Sequence, residues 1–233
     1  MITKQTTCGK EMAVSVPVTP KANRLDRRKA RTRAALIRAA QTLIAEGRTN
    51  VPILEITQAA DVGMGSFYNH FDTKEQLFDA AFEAVLDTYG EQLDRLSAGI
   101  EDTAEVFASS FRLTGRLQRR EPELGRVLLN NLSRLLGADD GLAPRARRDI
   151  AAAVDAGRFD VTDIDVAVTI TAGALIALGH LLQDNPDRDA EETTDRVAED
   201  LLRMFGLSRQ QAHRICTRRL PDIDQSDDDD SAA

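Results

Sequence analysis

The stretch GMGSFYNHFDTKEQLF, residues 63–78, contains a short run of helically spaced apolar residues followed by a helix-start motif. Met64, Phe67 and Phe71 recur at helical spacing, which predicts a short helix over residues 64–71 with one apolar side. Ser66 and Asn69 point away from that side, flanked by Gly65 and His70. Immediately afterwards, the sequence Thr73-Lys74-Glu75-Gln76 matches a capping box and predicts the start of a longer helix.

Two further helices are predicted before this stretch. Apolar residues from Leu36 to Ile44 occupy one face of a first helix, which Gly47 ends. Pro52 suits the first turn of a short second helix that runs to Asp61. Two short helices joined by a tight turn, the second with small and amide residues outward, are typical of a unit that inserts into the major groove of DNA.

Beyond residue 98 the pattern is helical throughout, and no alternation of strand type competes with it. The predicted helices cover residues 102–119, 122–136, 143–156, 163–184, 190–205 and 208–220. The sequence therefore predicts an all-α protein with an N-terminal three-helix unit of the kind that binds DNA and a C-terminal domain that is also helical. The predicted divisions are a disordered arm at 1–23, the helix-turn-helix domain at 24–72, the helical domain at 73–220 and an acidic tail at 221–233.

The net charge of −8 conceals a division of the chain. Residues 21–48 contain nine basic and two acidic side chains, a local charge of +7, so the remainder carries −15. A basic helix face attracts phosphates through counterion release. A solvated arginine face without any partner would show the same pattern.

Several classes of protein are disfavoured. Cys8 and Cys216 lie far apart, which predicts reduced thiols in a cytosolic protein. No two histidines have ligand spacing and no nucleophile–base pair is evident, so no metal, cofactor or catalytic residue is expected. The longest apolar stretch, residues 167–182, has 16 residues and falls short of the roughly 20 that span a membrane.

The N-terminal third resembles the DNA-binding domain of TetR-family transcriptional regulators over about residues 27–82. The segments that carry the resemblance are Thr32-Arg33, Glu55-Ile56, Ala59-Ala60-Asp61-Val62, Gly65 to Phe71 and Thr73 to Phe78. The resemblance implies a homodimer on a palindromic DNA operator, with the third helix of each subunit in the major groove. The chain departs from the family pattern where Asp61 replaces a turn glycine, Gly63 a capping hydroxyl residue, and Val51-Pro52 the hydroxyl residues often found there.

DNA-contacting residues follow from the same match. By position, the phosphate contacts would come from Arg27, Arg28, Arg31, Thr32, Tyr68, His70 and Lys74. The outward residues of the third helix, Gly65, Ser66 and Asn69, are the candidates for reading base edges, because amide and hydroxyl groups can hydrogen-bond there.

The helix predicted at 163–184 is apolar almost all round, which predicts burial on more than one side. Small residues on it would let a second helix approach closely, and together with the helix at 190–205 they suggest a four-helix dimer interface. The candidate interface residues are Gly173, Ala174, Ala177, Val197, Leu201 and Phe205. A core helix within one chain would explain the small residues almost as well.

By family resemblance, a ligand cavity is expected among the helices of the C-terminal domain. The candidate lining residues are Phe82, Leu86, Tyr89, Phe107, Phe111, Leu128, Leu132 and Thr169. Each is also explained as plain core, because an apolar position at helical spacing needs no ligand. Few interior charges are evident, which favours an apolar or amphipathic small-molecule effector.

The leading hypothesis is a cytoplasmic, nucleoid-associated regulator, a repressor that a small-molecule effector releases from DNA, with no membrane partner. The alternative is a helical DNA-binding adaptor whose C-terminal domain binds a protein partner and no small molecule. A solid core in that domain would favour the adaptor. An enzyme is disfavoured, because the acidic pairs Asp139-Asp140 and Glu191-Glu192 are typical of loop and surface charge.

Overall fold

The computed structural model describes residues 24–122, 125 and 142–221, and all regular elements in those ranges are helices. Its helices are α1 (Arg24–Ala45), α2 (Ile53–Ala59), α3 (Met64–Phe67), α4 (Lys74–Ser97), α5 (Thr103–Arg120), α6 (Leu142–Asp155), α7 (Ile164–Asp184), α8 (Ala190–Met204) and α9 (Arg209–Cys216). The all-α prediction is confirmed. The predicted arm, nearly all of the tail, and most of the helix at 122–136 lie outside the described residues.

The turns around α2 follow from local backbone preferences. After α1 the chain reverses at Gly47, whose φ of 69° is the left-handed conformation that glycine adopts without a steric cost. Pro52 immediately precedes α2 in an extended conformation. Asp61, in the turn before α3, also has a positive φ of 53°. Aspartate tolerates this region better than most side chains, so it can replace the glycine that the family usually has there.

Helix α3 is shorter than predicted. It ends at Phe67, and Tyr68, Asn69 and His70 form a turn in which the His70 N–H donates to the Phe67 carbonyl at 2.9 Å. Gly63 provides no side-chain cap. Because the helix is a single turn, the helical spacing predicted over residues 64–71 does not hold along the whole segment. Met64 is 47% exposed and lies outside the apolar side that Phe67 and Phe71 form.

Capping residues set the starts of the longer helices. The Thr73 hydroxyl accepts from the Gln76 N–H at 3.2 Å, as predicted, but the Gln76 side chain accepts from the Asp72 N–H and not from that of Thr73. The Ser208–Gln211 capping box is complete. Helix α9 then ends at Cys216, four residues before its predicted end.

Two hydrophobic clusters hold the fold together. The head cluster joins α1–α4 with Leu113 and Leu117 of α5, and Leu36, Ile56 and Phe67 at its centre are fully buried. The body cluster joins α5–α9. Helix α4 contributes residues from Leu77 to Leu93 to the head cluster. The predicted boundary between residues 72 and 73 therefore falls inside one continuous cluster and stays a prediction.

Asp102 connects the start of α5 to the end of α6. One of its oxygens accepts from the Ala104 N–H at 3.0 Å, and Arg158 donates two hydrogen bonds to the carboxylate at 2.9 Å each. The bond from Arg158 lowers the pKa of Asp102, although burial opposes the shift. The contribution to stability is therefore present above the ordinary pKa and is lost as the pH falls through the lowered value.

We expect Asp102→Asn to lower the free energy of unfolding by about 1–3 kcal/mol at pH 7, because asparagine still caps the helix but loses the ion pair. The difference from wild type should shrink toward zero as the pH falls from 5 to 2. Urea denaturation at several pH values measures it. A difference that is equal at pH 7 and pH 2 would contradict the ion-pair explanation.

Candidate nucleic-acid interface and effector cavity

Within the described part of the chain, the basic face of α1 is exposed. Arg27, Arg28 and Arg31 are exposed, and Thr32 is half-buried beside them. The guanidinium carbon of Arg33 lies 5.2 Å from the centre of the Phe71 ring, a cation–π contact that connects α1 with the end of the helix-turn-helix unit. The structure thus places these predicted phosphate contacts on one helix that is fixed to the recognition unit.

Around α3, the predicted base-reading and phosphate residues form an open surface. Gly65 and Asn69 are exposed, while Ser66 and His70 are half-buried. A Cβ atom at Gly65 would meet nothing within 4 Å, so the fold does not require glycine there. Tyr68 is 58% exposed, and its ring lies edge-on to that of Phe67, with ring centres 5.2 Å apart.

The start of α4 lies next to the loop before α2. The Lys74 ammonium donates to the Asn50 side-chain oxygen at 3.3 Å, and both groups are at the surface. Asn50 was missed by sequence reasoning because it is 24 residues away in the chain. Arg48, counted in the basic segment, forms ion pairs with Glu46 at 2.7 Å and with Glu55. Its charge is therefore partly neutralised within the protein.

A cavity of about 70 Å³ lies between α4, α5, α6 and α7. Its walls combine aromatic and aliphatic side chains with a small number of hydroxyl, carboxylate and guanidinium groups. The lining residues are Leu93, Asp94, Phe107, Ser110, Phe111, Thr114, Leu142, Arg145, Ala146, Asp149, Thr171 and Leu175. Mostly apolar walls with a few convergent polar groups are typical of small-molecule sites.

One end of the cavity is an ion-pair network between α4 and α6. Arg145 donates from Nε to Asp94 at 3.0 Å and from Nη1 to Asp87 at 2.9 Å. Arg148 donates to Asp94 at 2.6 Å and to Asp149 at 2.7 Å. Among the described residues, two arginines thus face three carboxylates.

The two carboxylates at the cavity have opposite pKa shifts. Burial raises the pKa of Asp149, and the bonds from Arg148 only partly oppose the increase. Burial acts in the same direction on Asp94, but the hydrogen bonds from Arg148 and Arg145 outweigh it and lower the pKa of that group. A buried carboxylate that lines a cavity and has a raised pKa is a candidate functional group.

The predicted lining residues fall in different places. Phe107 and Phe111 line the cavity, whereas Phe82, Leu86 and Tyr89 are buried in the head cluster, because their side of α4 faces α1 and the recognition unit. Thr169 is exposed, and its hydroxyl donates to the Asp165 carbonyl at 2.8 Å, so it does not line this cavity. Leu128 and Leu132 lie outside the described residues.

The expectation of few interior charges is wrong for this cavity. The spacing of Arg145, Arg148 and Asp149 places all three on one side of α6, a signal that the sequence contains. This spacing alone does not predict buried charges, because charged residues on one side of an amphipathic helix are usually solvated. Their partners Asp87 and Asp94 lie more than 50 residues away, so only the fold shows that the charges meet.

Helix α7 buries one side only. Val166 and Ile170 are exposed, as are Gly173, Ala177 and Leu181 further along the same stripe, while Ala174 is half-buried. Burial on more than one side would therefore require a second chain, and it stays a prediction. The helix is long and apolar enough to cross a membrane, a test that core helices of soluble proteins also pass.

Two predicted interface residues belong instead to the body cluster. Leu201 and Phe205 are buried, and the Phe205 ring lies 5.5 Å from that of Phe107 and 5.2 Å from that of Phe159. Val197 is half-buried against the same cluster. The apolar side of α8 packs toward α5, and the exposed apolar residue near its end is Met204.

A helix-turn-helix head with a basic first helix, joined to a helical body that contains a cavity, defines a class of transcriptional regulators that bind DNA and small molecules. Residues 36–81 match the family described as bacterial regulatory proteins, tetR family, and residues 102–218 match the tetracyclin repressor-like C-terminal domain. The chain belongs to the TetR family of transcriptional regulators. The resemblance seen in the sequence is confirmed.

Solved structures agree with this assignment. RolR in complex with resorcinol is 37% identical, with a TM-score of 0.72 over 84% of this chain and 98% of that protein. FadR from Bacillus subtilis in complex with stearoyl-CoA is 17% identical, with a TM-score of 0.56 over 72% and 97%. SmeT, the repressor of a Stenotrophomonas maltophilia multidrug efflux pump, is 18% identical, with a TM-score of 0.54 over 75% and 92%.

Proposed function

We propose that the protein is a homodimeric repressor that binds a palindromic operator and leaves it when a small hydroxylated aromatic compound enters the cavity. The observation that carries this proposal is the ion-pair network that forms one cavity wall. Through Arg145 and Arg148 it connects α6 to α4, and α4 shares a hydrophobic cluster with the DNA-binding helices. A ligand in the cavity thus touches the helix that holds the head.

DNA binding is supported by the placement of the outward residues. Exposed arginines on α1, the Tyr68 hydroxyl and the Lys74 ammonium are suited to phosphates, and Gly65, Ser66 and Asn69 leave the α3 surface low enough to approach base edges. Gly65 itself places no side chain between the α3 backbone and the groove. His70 is half-buried beside them and remains a proposed phosphate contact.

Dimerisation is supported by the uncovered apolar stripe on α7. The stripe includes large apolar side chains at Val166, Ile170 and Leu181 with small residues at Gly173 and Ala177 between them. Such a surface lets two helices pack closely about a two-fold axis. The interface we propose therefore centres on α7 and the Met204 end of α8, and excludes Leu201 and Phe205.

The size and polarity of the cavity bear on the effector. A cavity of about 150 Å³ accommodates benzene, and the present one is about half that volume. A single ring must therefore displace part of the wall, and a long acyl chain would need far more space. Hydroxyl groups on the ring can donate to Asp149 and Asp94. RolR binds resorcinol, a ring of this kind.

Release then follows from differential binding. If the effector binds only an expanded cavity, it shifts the population toward the conformation in which α6 and α4 have separated. A displacement of α4 in both subunits changes the distance between the recognition units, which must match half-sites one DNA turn apart, about 34–36 Å. The adaptor alternative, which a solid core would favour, has no such support from the described part of the body.

The DNA-binding half of the proposal is tested with two variants on an operator selected from a random DNA pool. Lys74→Ala is expected to weaken binding and to reduce the slope of log affinity against log salt by about 1 for each subunit. Tyr68→Phe should weaken binding without a change in slope, because a neutral hydroxyl releases no counterion. Unchanged affinity and slope for both variants would contradict phosphate contact at these positions.

A further inference from the structure

Gly90 allows another side chain to lie directly on the backbone of α4. It is buried in the middle of α4. A Cβ atom at this position would lie 2.6 Å from Nε of Arg145 and 2.7 Å from both its Cδ and Cζ. Atoms do not approach so closely without a shift, so any side chain at position 90 must displace Arg145.

Two nitrogens of the Arg145 guanidinium are bound on opposite sides of Gly90. Asp87 and Asp94 are three residues before and four residues after Gly90, so all three lie on one face of α4. Arg145 bonds to Asp87 through Nη1 and to Asp94 through Nε. The guanidinium therefore lies across Gly90 between two carboxylates. It cannot move away from a Cβ atom there and keep both hydrogen bonds at their present lengths.

We infer that Gly90 is a positioning residue for the effector response. Because Gly90 has no side chain, Arg145 can lie on α4. There Arg145 forms part of the cavity wall and connects that wall to α4, the helix that packs against the DNA-binding helices. The inference rests on the proposed function. Glycine inside a helix is about 1 kcal/mol less favourable than alanine. The close approach of Arg145 is the structural reason why this position has no side chain.

The contact is tested by a double-mutant cycle with Gly90→Ala and Arg145→Ala, followed by thermal unfolding. The Arg145→Ala protein lacks the three atoms nearest to the new methyl group, so Gly90→Ala should raise the melting temperature there by about 2–4 °C. In wild type the same substitution should lower the melting temperature, because Arg145 is displaced. Equal shifts in the two backgrounds would overturn the contact, since uncoupled positions give additive effects.

The role in the effector response is tested by calorimetry with resorcinol as the probe. Gly90→Ala should weaken resorcinol binding about tenfold in wild type and cause no further loss in Arg145→Ala. Gly115→Ala is the control, because its Cβ would lie 2.6 Å from Thr194 and so disturb packing away from Arg145. It should reduce stability and leave resorcinol affinity within about twofold.

The results separate this inference from the proposed function. Thermal coupling with an unchanged resorcinol affinity in Gly90→Ala would overturn the role in the effector response. If wild type does not bind resorcinol, the effector class in the proposed function is wrong, and the effector half of this inference falls with it. The thermal cycle needs no ligand and still decides whether Gly90 positions Arg145.

Discussion

Asp149→Asn is expected to give a repressor that stays on its operator at resorcinol concentrations that release the wild type. Asparagine keeps the shape of the side chain but loses one of the two carboxylate acceptors in the cavity, which weakens charge-assisted hydrogen bonds to ligand hydroxyls. A loss of about 1.5–3 kcal/mol corresponds to roughly 10–100-fold weaker effector binding. Release of labelled operator during a resorcinol titration measures the effect.

The folded state should tolerate this substitution. Burial raises the pKa of Asp149, which means that the ionised carboxylate is held there at a cost that neutral asparagine does not have. Asp155→Asn on the same helix is the matched control, because Asp155 is exposed and does not line the cavity. An Asp149→Asn protein that is released as readily as wild type would place the effector elsewhere.

Phe67→Ala is expected to weaken operator binding because it lowers the stability of the head. The ring is fully buried and contacts those of Tyr68 and Phe71, with centres 5.2 and 6.0 Å away. Loss of a buried aromatic ring costs about 3–5 kcal/mol. Chemical denaturation followed by circular dichroism should show this loss, together with weaker binding to the selected operator.

Tyr68→Ala is the neighbouring control. Its side chain is mainly exposed, so the free energy of unfolding should change by less than about 1 kcal/mol while operator affinity still falls. The pair therefore distinguishes a residue that supports the head from one that meets DNA. A Phe67→Ala protein with wild-type stability would contradict the packing of the head cluster.

Much of this architecture could be predicted from local sequence. Capping residues, prolines and apolar periodicity define the helices because each acts within a few residues of the chain. The length of α3 could not be obtained in this way. Its single turn depends on a start without a side-chain cap at Gly63 and on tertiary packing of Phe67 and Phe71.

The proposed DNA-contacting residues can be chosen from the sequence alone, whereas the cavity cannot. Tyr68, His70 and Lys74 lie in one short segment, whose pattern is readable without the fold. Asp94 and Asp149 meet only when α4 and α6 pack together, and periodicity describes one helix at a time. The same reason explains why Leu201 and Phe205 were predicted at the dimer interface but lie in the body cluster. An apolar side shows that a helix is covered, but it does not show which surface covers it.

Reciprocal linkage between resorcinol and the operator measures the proposed coupling between the cavity and the head. Operator affinity is measured with and without saturating resorcinol, and resorcinol affinity with and without saturating operator. Coupling predicts that resorcinol and the operator each weaken the binding of the other by the same factor, about 5–150-fold for typical allosteric proteins. An operator affinity that stays the same when resorcinol occupies the cavity would contradict this coupling.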